Sequence, residues 1–110
     1  MKTVVAKLDL VAELPSGQRK LTVVTLYLPD ENGCPEKGCA TCQLSITGAL
    51  NIDQKVHGED GFQALSMALA YVRFCLISFI QDGGLWYFLD GETEFELSDY
   101  FPLYGPSSSI

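Results

Sequence analysis

The sequence predicts an α+β fold in which an antiparallel sheet of four to five strands carries one long helix on one face. Three observations predict it: segments near the N-terminus alternate apolar and polar residues, residues 61–81 have helical periodicity, and β-forming residues follow that helix. The 110 residues, 47% of them hydrophobic, suit one domain with one core. We expect a single domain over residues 1–104, in the order strand, strand, strand, helix, strand and a possible further strand, and a disordered tail over 105–110.

Three strands are predicted before the helix. Residues 3–14 and 19–28 are rich in apolar and β-branched residues at period two, and the turn at 15–18 between them makes the pair a hairpin. The third strand, 41–47, places Cys42, Leu44 and Ile46 on one face, so we expect the Cys42 thiol in the core. Residues 30–40 and 53–60 read as polar loops.

The long helix has a start signal and a stop signal. Asp60 and Gln63 have the spacing of a capping box, and Gly83 suits a left-handed C-terminal cap. An apolar stripe should lie on the sheet; it comprises Phe62, Leu65, Ala68, Leu69, Val72, Cys75, Leu76, Phe79 and Ile80. The opposite side is also weakly polar, so something should cover it, and a second copy of the chain in a homodimer is one candidate. Arg73 near the centre would cost on the order of 3 kcal/mol in a membrane, which argues against a membrane span.

The last predicted elements form a hairpin. Residues 85–89 are strongly β-forming, Asp90 and Gly91 suit a tight turn, and residues 92–97 alternate strictly. Thr93, Phe95 and Leu97 should face inward, with an acidic row on the other side.

The charge balance restricts the partners. A net charge of −7 disfavours nucleic acid and anionic membranes, and it favours a basic protein. We expect partner binding through acidic residues of the loop 30–40 and of the C-terminal hairpin: Asp30, Glu31, Glu36, Asp90, Glu92, Glu94, Glu96 and Asp99. The alternative is a solvated strand face that discourages edge-to-edge aggregation.

The cysteines raise the question of a metal. Cys34, Cys39, Cys42 and the distant Cys75 have the spacing of the plant-type ferredoxin cluster, and residues 34–42 (CPEKGCATC) resemble the loop of that family. The resemblance implies a helix before the loop, as that family has, but here a predicted strand precedes the loop instead. Cys42 and Cys75 also fall on predicted core faces, where a cysteine acts as a small hydrophobic residue. A zinc site of Cys34, Cys39, Cys42 and His57 is the second alternative, although its spacing is irregular. We therefore predict no cofactor and no metal site.

Nothing in the sequence predicts an enzyme. His57 is the only histidine and lies in a predicted polar loop, and no Gly-rich phosphate loop precedes a helix. The N-terminus reads as a strand and not as a signal peptide, so a cytoplasmic location with four reduced cysteines is expected.

Two segments carry a resemblance. Residues 42–48 (CQLSITG) and 61–69 (GFQALSMAL) resemble the core signature of a family of small uncharacterised bacterial proteins, although Thr41 stands where that family has an aromatic residue. The resemblance implies a fold and a bacterial origin, and no activity. By analogy of size and charge, we expect a non-enzymatic immunity protein that neutralises a cognate toxin, for example a basic nuclease. An iron–sulfur or zinc protein and a homodimeric structural domain remain the alternatives.

Overall fold

The computed structural model describes residues 2–33 and 38–102, which form a five-stranded antiparallel sheet with one long helix packed against it. The predicted fold class is confirmed. The sheet order is β4-β3-β2-β1-β5. The elements are β1 (Val4–Glu13), β2 (Arg19–Tyr27), β3 (Ala40–Thr47), β4 (Asn51–Gly58), α1 (Gly61–Gln81), β5 (Leu85–Tyr87) and α2 (Leu97–Tyr100).

The predicted hairpin of β1 and β2 is confirmed, with strand ends within one residue of the predicted ones. Its last pair is Glu13 with Arg19, and these side chains also form an exposed ion pair at 3.0 Å. Gly17 has a φ of +89° in the connecting turn, a conformation that glycine adopts without a side-chain penalty.

Strand β4 is the main departure from the predicted order. Residues 53–60 were expected to be a polar loop, but residues 51–58 pair with β3 along the whole strand, from Asn51 with Thr47 to Gly58 with Ala40. The strand lies at a sheet edge, and only Ile52 and Val56 pack against the core. An edge strand with so few inward apolar residues has the composition of a loop, so the alternation of apolar and polar residues did not predict it.

The core lies between α1 and the inner face of the sheet. It includes Leu10, Leu44, Ile46 and Leu76, all fully buried, and Cys42 is buried among them as predicted. Five of the nine residues of the predicted helix stripe are buried: Ala68, Val72, Cys75, Leu76 and Phe79. Phe62, Leu69 and Ile80 are exposed instead, because they lie on one flank of the stripe, and Phe62 is the most exposed of them at 86%.

Both predicted ends of α1 are confirmed. The Asp60 carboxylate accepts a hydrogen bond from the Gln63 amide at 2.8 Å, and the Gln63 side chain accepts one from the Glu59 amide at 2.7 Å. At the other end the Gly83 amide donates to Ile80 O and the Gly84 amide donates to Phe79 O, both at 2.9 Å. Gly83 has a φ of +98°, so the helix ends in a Schellman motif.

Helix α1 is long and apolar enough to span a membrane by length and composition alone. In the fold it packs on β3 and β4, and it buries residues along its whole length, from Gly61 to Phe79. A core helix of a small domain meets the same criteria of length and composition.

The C-terminal hairpin was predicted with two full strands. Strand β5 has only three residues, and residues 92–97 contribute a single bridge, between Tyr87 and Glu94, before α2 begins. The chain bends because the Asp90 side chain accepts hydrogen bonds from the amides of Glu92 and Thr93, which are then not available to a ladder. Thr93 is exposed instead of facing inward. The predicted tail, 105–110, lies outside the described residues.

Candidate protein-binding groove

A groove of about 400 Å³ lies between the C-terminal half of α1 and residues 94–98. We call it the acidic groove. Ile77 and Ile80 of α1 and Leu97 contribute apolar surface, and Glu94 and Glu96 line the same space. The two glutamates belong to the predicted partner-binding set; the helix residues do not.

Phe95 determines where the two glutamates point. Its ring is 3% exposed and packs against Phe88 and Tyr100, with ring centroids 5.5 and 4.6 Å away, and its amide donates to Trp86 O at 2.9 Å. Because successive residues of an extended segment point to opposite sides, a buried Phe95 leaves Glu94 and Glu96 exposed.

The groove has a negative electrostatic potential from two sources. The C-terminus of a helix carries a partial negative charge, and the last turn of α1 contains no basic residue to offset it. Within the described part of the chain, neither Glu94 nor Glu96 makes a side-chain hydrogen bond or an ion pair. Two uncompensated carboxylates beside a helix C-terminus and an apolar surface suit a partner segment that is both basic and apolar.

The contribution of α1 to this site was missed in the sequence. A signal was present, since Ser78, Ile80, Gln81 and Asp82 at the helix end include no cation and one carboxylate. Residues 77–81 and 94–98 are brought together only by the fold, because α1 contacts α2 although β5 lies between the two helices in the chain.

Asp90 has a structural role in the turn before the groove. Its carboxylate accepts hydrogen bonds from the Thr93 hydroxyl, from the Thr93 amide at 2.8 Å and from the Glu92 amide at 2.9 Å. These bonds, the one from the Thr93 hydroxyl above all, hold the pKa of the Asp90 carboxyl below its usual range. Asp90 therefore shapes the approach to the groove and is not one of its lining residues.

The acidic residues of the first predicted loop lie elsewhere. The Asp30 carboxylate accepts from the Asn32 amide, and the Glu31 carboxylate accepts from the Gly61 amide, both at 2.9 Å. Glu31 thus binds the N-terminus of α1, where an anion is stabilising. With 21 residues in α1, the two ends of the helix are about 30 Å apart.

The predicted partner-binding set is therefore not one surface. Glu94 and Glu96 line the groove, Glu92 and Asp99 are exposed near it without lining it, and Asp30 and Glu31 belong to the opposite end of α1. Glu36 lies outside the described residues.

The described members of the alternative zinc set do not come together. Cys42 faces α1, and its thiol lies 3.3 Å from Tyr27 O. His57 is exposed on β4, where it pairs with Thr41, the neighbour of Cys42, and so points to the other side of the sheet. Cys42 and His57 therefore cannot bind one ion, and no group of three or more His, Cys, Asp or Glu residues within 2–33 and 38–102 could hold a metal ion. Cys34 lies outside the described residues.

The state of the cysteines differs from the predicted one. Cys39 is disulfide-bonded, so the expectation of four reduced cysteines is wrong for this residue. Cys42 and Cys75 have free thiols, and burial raises the pKa of both. A buried thiol with a raised pKa forms little thiolate and is a poor nucleophile, so both behave as small core residues.

Comparison of the chain with protein-family models, curated proteins and solved structures finds no match. The resemblance of residues 42–48 and 61–69 to a bacterial family stays a prediction.

Proposed function

We propose that this chain is a non-enzymatic immunity protein that neutralises a cognate bacterial toxin by direct binding. The acidic groove would take a basic, partly apolar segment of the toxin, for example from a nuclease. The observation that carries the proposal is the placement of Glu94 and Glu96 beside Ile77 and Ile80 at the negative end of α1. The net charge of −7 adds a long-range attraction for a basic protein.

Inhibition by binding fits the chemistry of the described side chains. The one histidine is exposed on an edge strand, and the two free thiols are buried. A groove that combines apolar surface with unpaired carboxylates binds a complementary protein surface without any chemical step.

The test begins with the product of the reading frame beside this gene. Co-expression of the two proteins should protect the cells, and the purified proteins should form a complex whose affinity falls as salt rises. The immunity proposal fails if the neighbouring product is not toxic. It also fails if that product is toxic and co-expression of this chain does not protect the cells.

The groove is tested by charge reversal. Glu94→Lys and Glu96→Lys should each weaken the complex by about tenfold or more, because a like charge would face the basic partner. Glu92→Lys is the matched control, since Glu92 is exposed and close in sequence but does not line the groove. It should change the affinity by no more than about threefold. Equal losses for all three variants would show that general charge, and not the groove, provides the affinity.

We place the protein in the cytoplasm, where an immunity protein would meet an incoming toxin. The disulfide bond of Cys39 is more typical of an oxidising compartment, so the location calls for a direct measurement. Fractionation of the source cells should recover the protein with cytoplasmic markers, and recovery with secreted or periplasmic proteins would reject the cytoplasmic assignment.

A further inference from the structure

We propose that a second copy of this chain pairs with the free edge of β4 and forms a symmetric dimer with a continuous sheet. The two β4 strands would run antiparallel about a two-fold axis at Gln54. The surface is distinct from the acidic groove, so the dimer and toxin binding can be tested independently.

Within residues 2–33 and 38–102, no strand pairs with the outer edge of β4. Strand β4 pairs along its whole length with β3 on one side, and it is the last strand of the sheet on the other. A strand of eight residues therefore presents a row of outward N–H and C=O groups, which is a template for another strand.

The charges of β4 complement a second β4 in one register. In an antiparallel pair centred on Gln54, Asp53 of each copy lies opposite Lys55 of the other, and the half-buried Ile52 lies opposite Val56. Centring the pair on Lys55 would place two lysines opposite each other, and centring it on Asp53 would place two aspartates opposite each other. Like charges directly opposite are destabilising, so the sequence of β4 selects the register centred on Gln54.

The helix above β4 supplies an apolar surface to the same interface. Leu69 and Val72 line a pocket with β1 and β2 residues, so that flank of α1 faces the middle of the sheet. By helical geometry Met67, Tyr71 and Phe74 lie on the side of α1 away from that flank, and α1 itself packs against β4, where Gly58 lies close to the Ala64 backbone. Phe74 is 67% exposed, Met67 is 50% exposed and Tyr71 is half-buried. In the proposed dimer these flanks would face each other across the two-fold axis and bury this surface.

The first experiment measures mass in solution by light scattering. The wild-type chain of 12.1 kDa should have twice that mass, with a dimer that dissociates on dilution. Asp53→Lys and Lys55→Asp should each raise the dissociation constant by about tenfold or more, because each places like charges opposite each other twice. Glu92→Lys, an equal charge change away from β4, should leave the dimer intact. A wild-type chain that is monomeric at its highest soluble concentration would overturn the proposal.

Mixing the two variants separates lost pairing from lost folding. Asp53 also accepts a hydrogen bond from the Gln43 side chain at 2.6 Å, so Asp53→Lys could weaken the fold itself. An equimolar mixture of Asp53→Lys and Lys55→Asp should form a heterodimer, since each lysine then lies opposite an aspartate. The double variant with both changes should regain the homodimer. If neither association occurs while circular dichroism shows folded chains, the pairing is wrong.

Single cysteines test the register. Residues opposite each other in an antiparallel pair have Cα atoms about 4.5–5.5 Å apart, within the range of a disulfide bond. Gln54→Cys should therefore form a covalent dimer rapidly under mild oxidation. Asp53→Cys and Lys55→Cys should do so slowly, and a faster reaction of either would reject the register centred on Gln54.

The helix flank is tested with a matched pair of exposed phenylalanines. Phe74→Gln should weaken the dimer by about tenfold or more, because it removes apolar surface from the interface. Phe62→Gln should not, since Phe62 is 86% exposed on the other flank. Equal effects would contradict the assignment of the flank. Glu94→Lys should leave the mass unchanged, which separates this proposal from the acidic groove.

Discussion

Replacing Trp86 by alanine should lower stability more than most single changes in this protein. The indole is 1% exposed, its Nε1–H donates to Leu76 O at 3.1 Å, and its ring lies 4.4 Å from that of Phe79. It therefore holds β5 against the C-terminal half of α1. Because the Phe95 amide donates a hydrogen bond to Trp86 O, the indole also fixes the segment around Phe95.

The expected loss follows from these contacts. Removing a buried tryptophan side chain costs about 3–5 kcal/mol, of which the hydrogen bond contributes about 1 kcal/mol and the ring pair about 0.5–1.5 kcal/mol. A domain of this size is stable by about 5–15 kcal/mol, so the variant should remain folded with little margin. At roughly 4 °C for each kcal/mol, Tm should fall by about 12–20 °C.

Urea unfolding followed by circular dichroism measures the loss, because Trp86 is the only tryptophan and its fluorescence disappears with it. Trp86→Phe, which keeps an aromatic ring but lacks the N–H donor, should lie between the wild type and Trp86→Ala. Leu89→Ala is the control, since Leu89 is 59% exposed and should change stability by about 0.5 kcal/mol or less. A loss below about 1 kcal/mol for Trp86→Ala would refute the role given to the indole.

Three further changes test other parts of the fold. Because hydrogen bonds lower the pKa of Asp90, its carboxylate stabilises the fold above its unfolded pKa of about 4, and this is lost as the pH falls through the folded value. Asp90→Asn should therefore lower Tm at neutral pH, and the Tm values of variant and wild type should converge in acid, once the Asp90 carboxyl of the folded wild type is protonated. Cys42 and Cys75 should react slowly with a thiol reagent in the native state and rapidly in urea, because unfolding exposes both thiols. Fast native reaction would contradict their burial. Gly84→Ala would place a Cβ in collision with the Phe79 ring and should lower the free energy of unfolding in urea by about 1–3 kcal/mol, whereas an unchanged midpoint would show that the ring can move.

The parts of the fold that depend on local pattern could be predicted. Strands β1, β2 and β3 bury one face each, so their apolar residues recur at period two. The residues that cap α1 lie directly before and after it in the chain, so both of its ends could be recognised. Cys42 was placed in the core for the same reason. These signals come from residues near one another in the chain.

The parts that depend on distant residues could not be predicted. Strand β4 forms because β3 offers it an edge, although its own composition is that of a loop, and residues 92–97 fail to form a strand because Asp90 binds the amides that a ladder would need. Likewise, the acidic residues predicted the net charge of the chain, but they did not predict which of them lie on one surface. The sequence by itself determined strands β1 to β3, the helix and the acidity; the tertiary structure alone decided the edge strand β4 and which carboxylates lie beside an apolar groove. A groove is formed by segments that are far apart in the chain, and local periodicity does not indicate which distant segments lie close together in space.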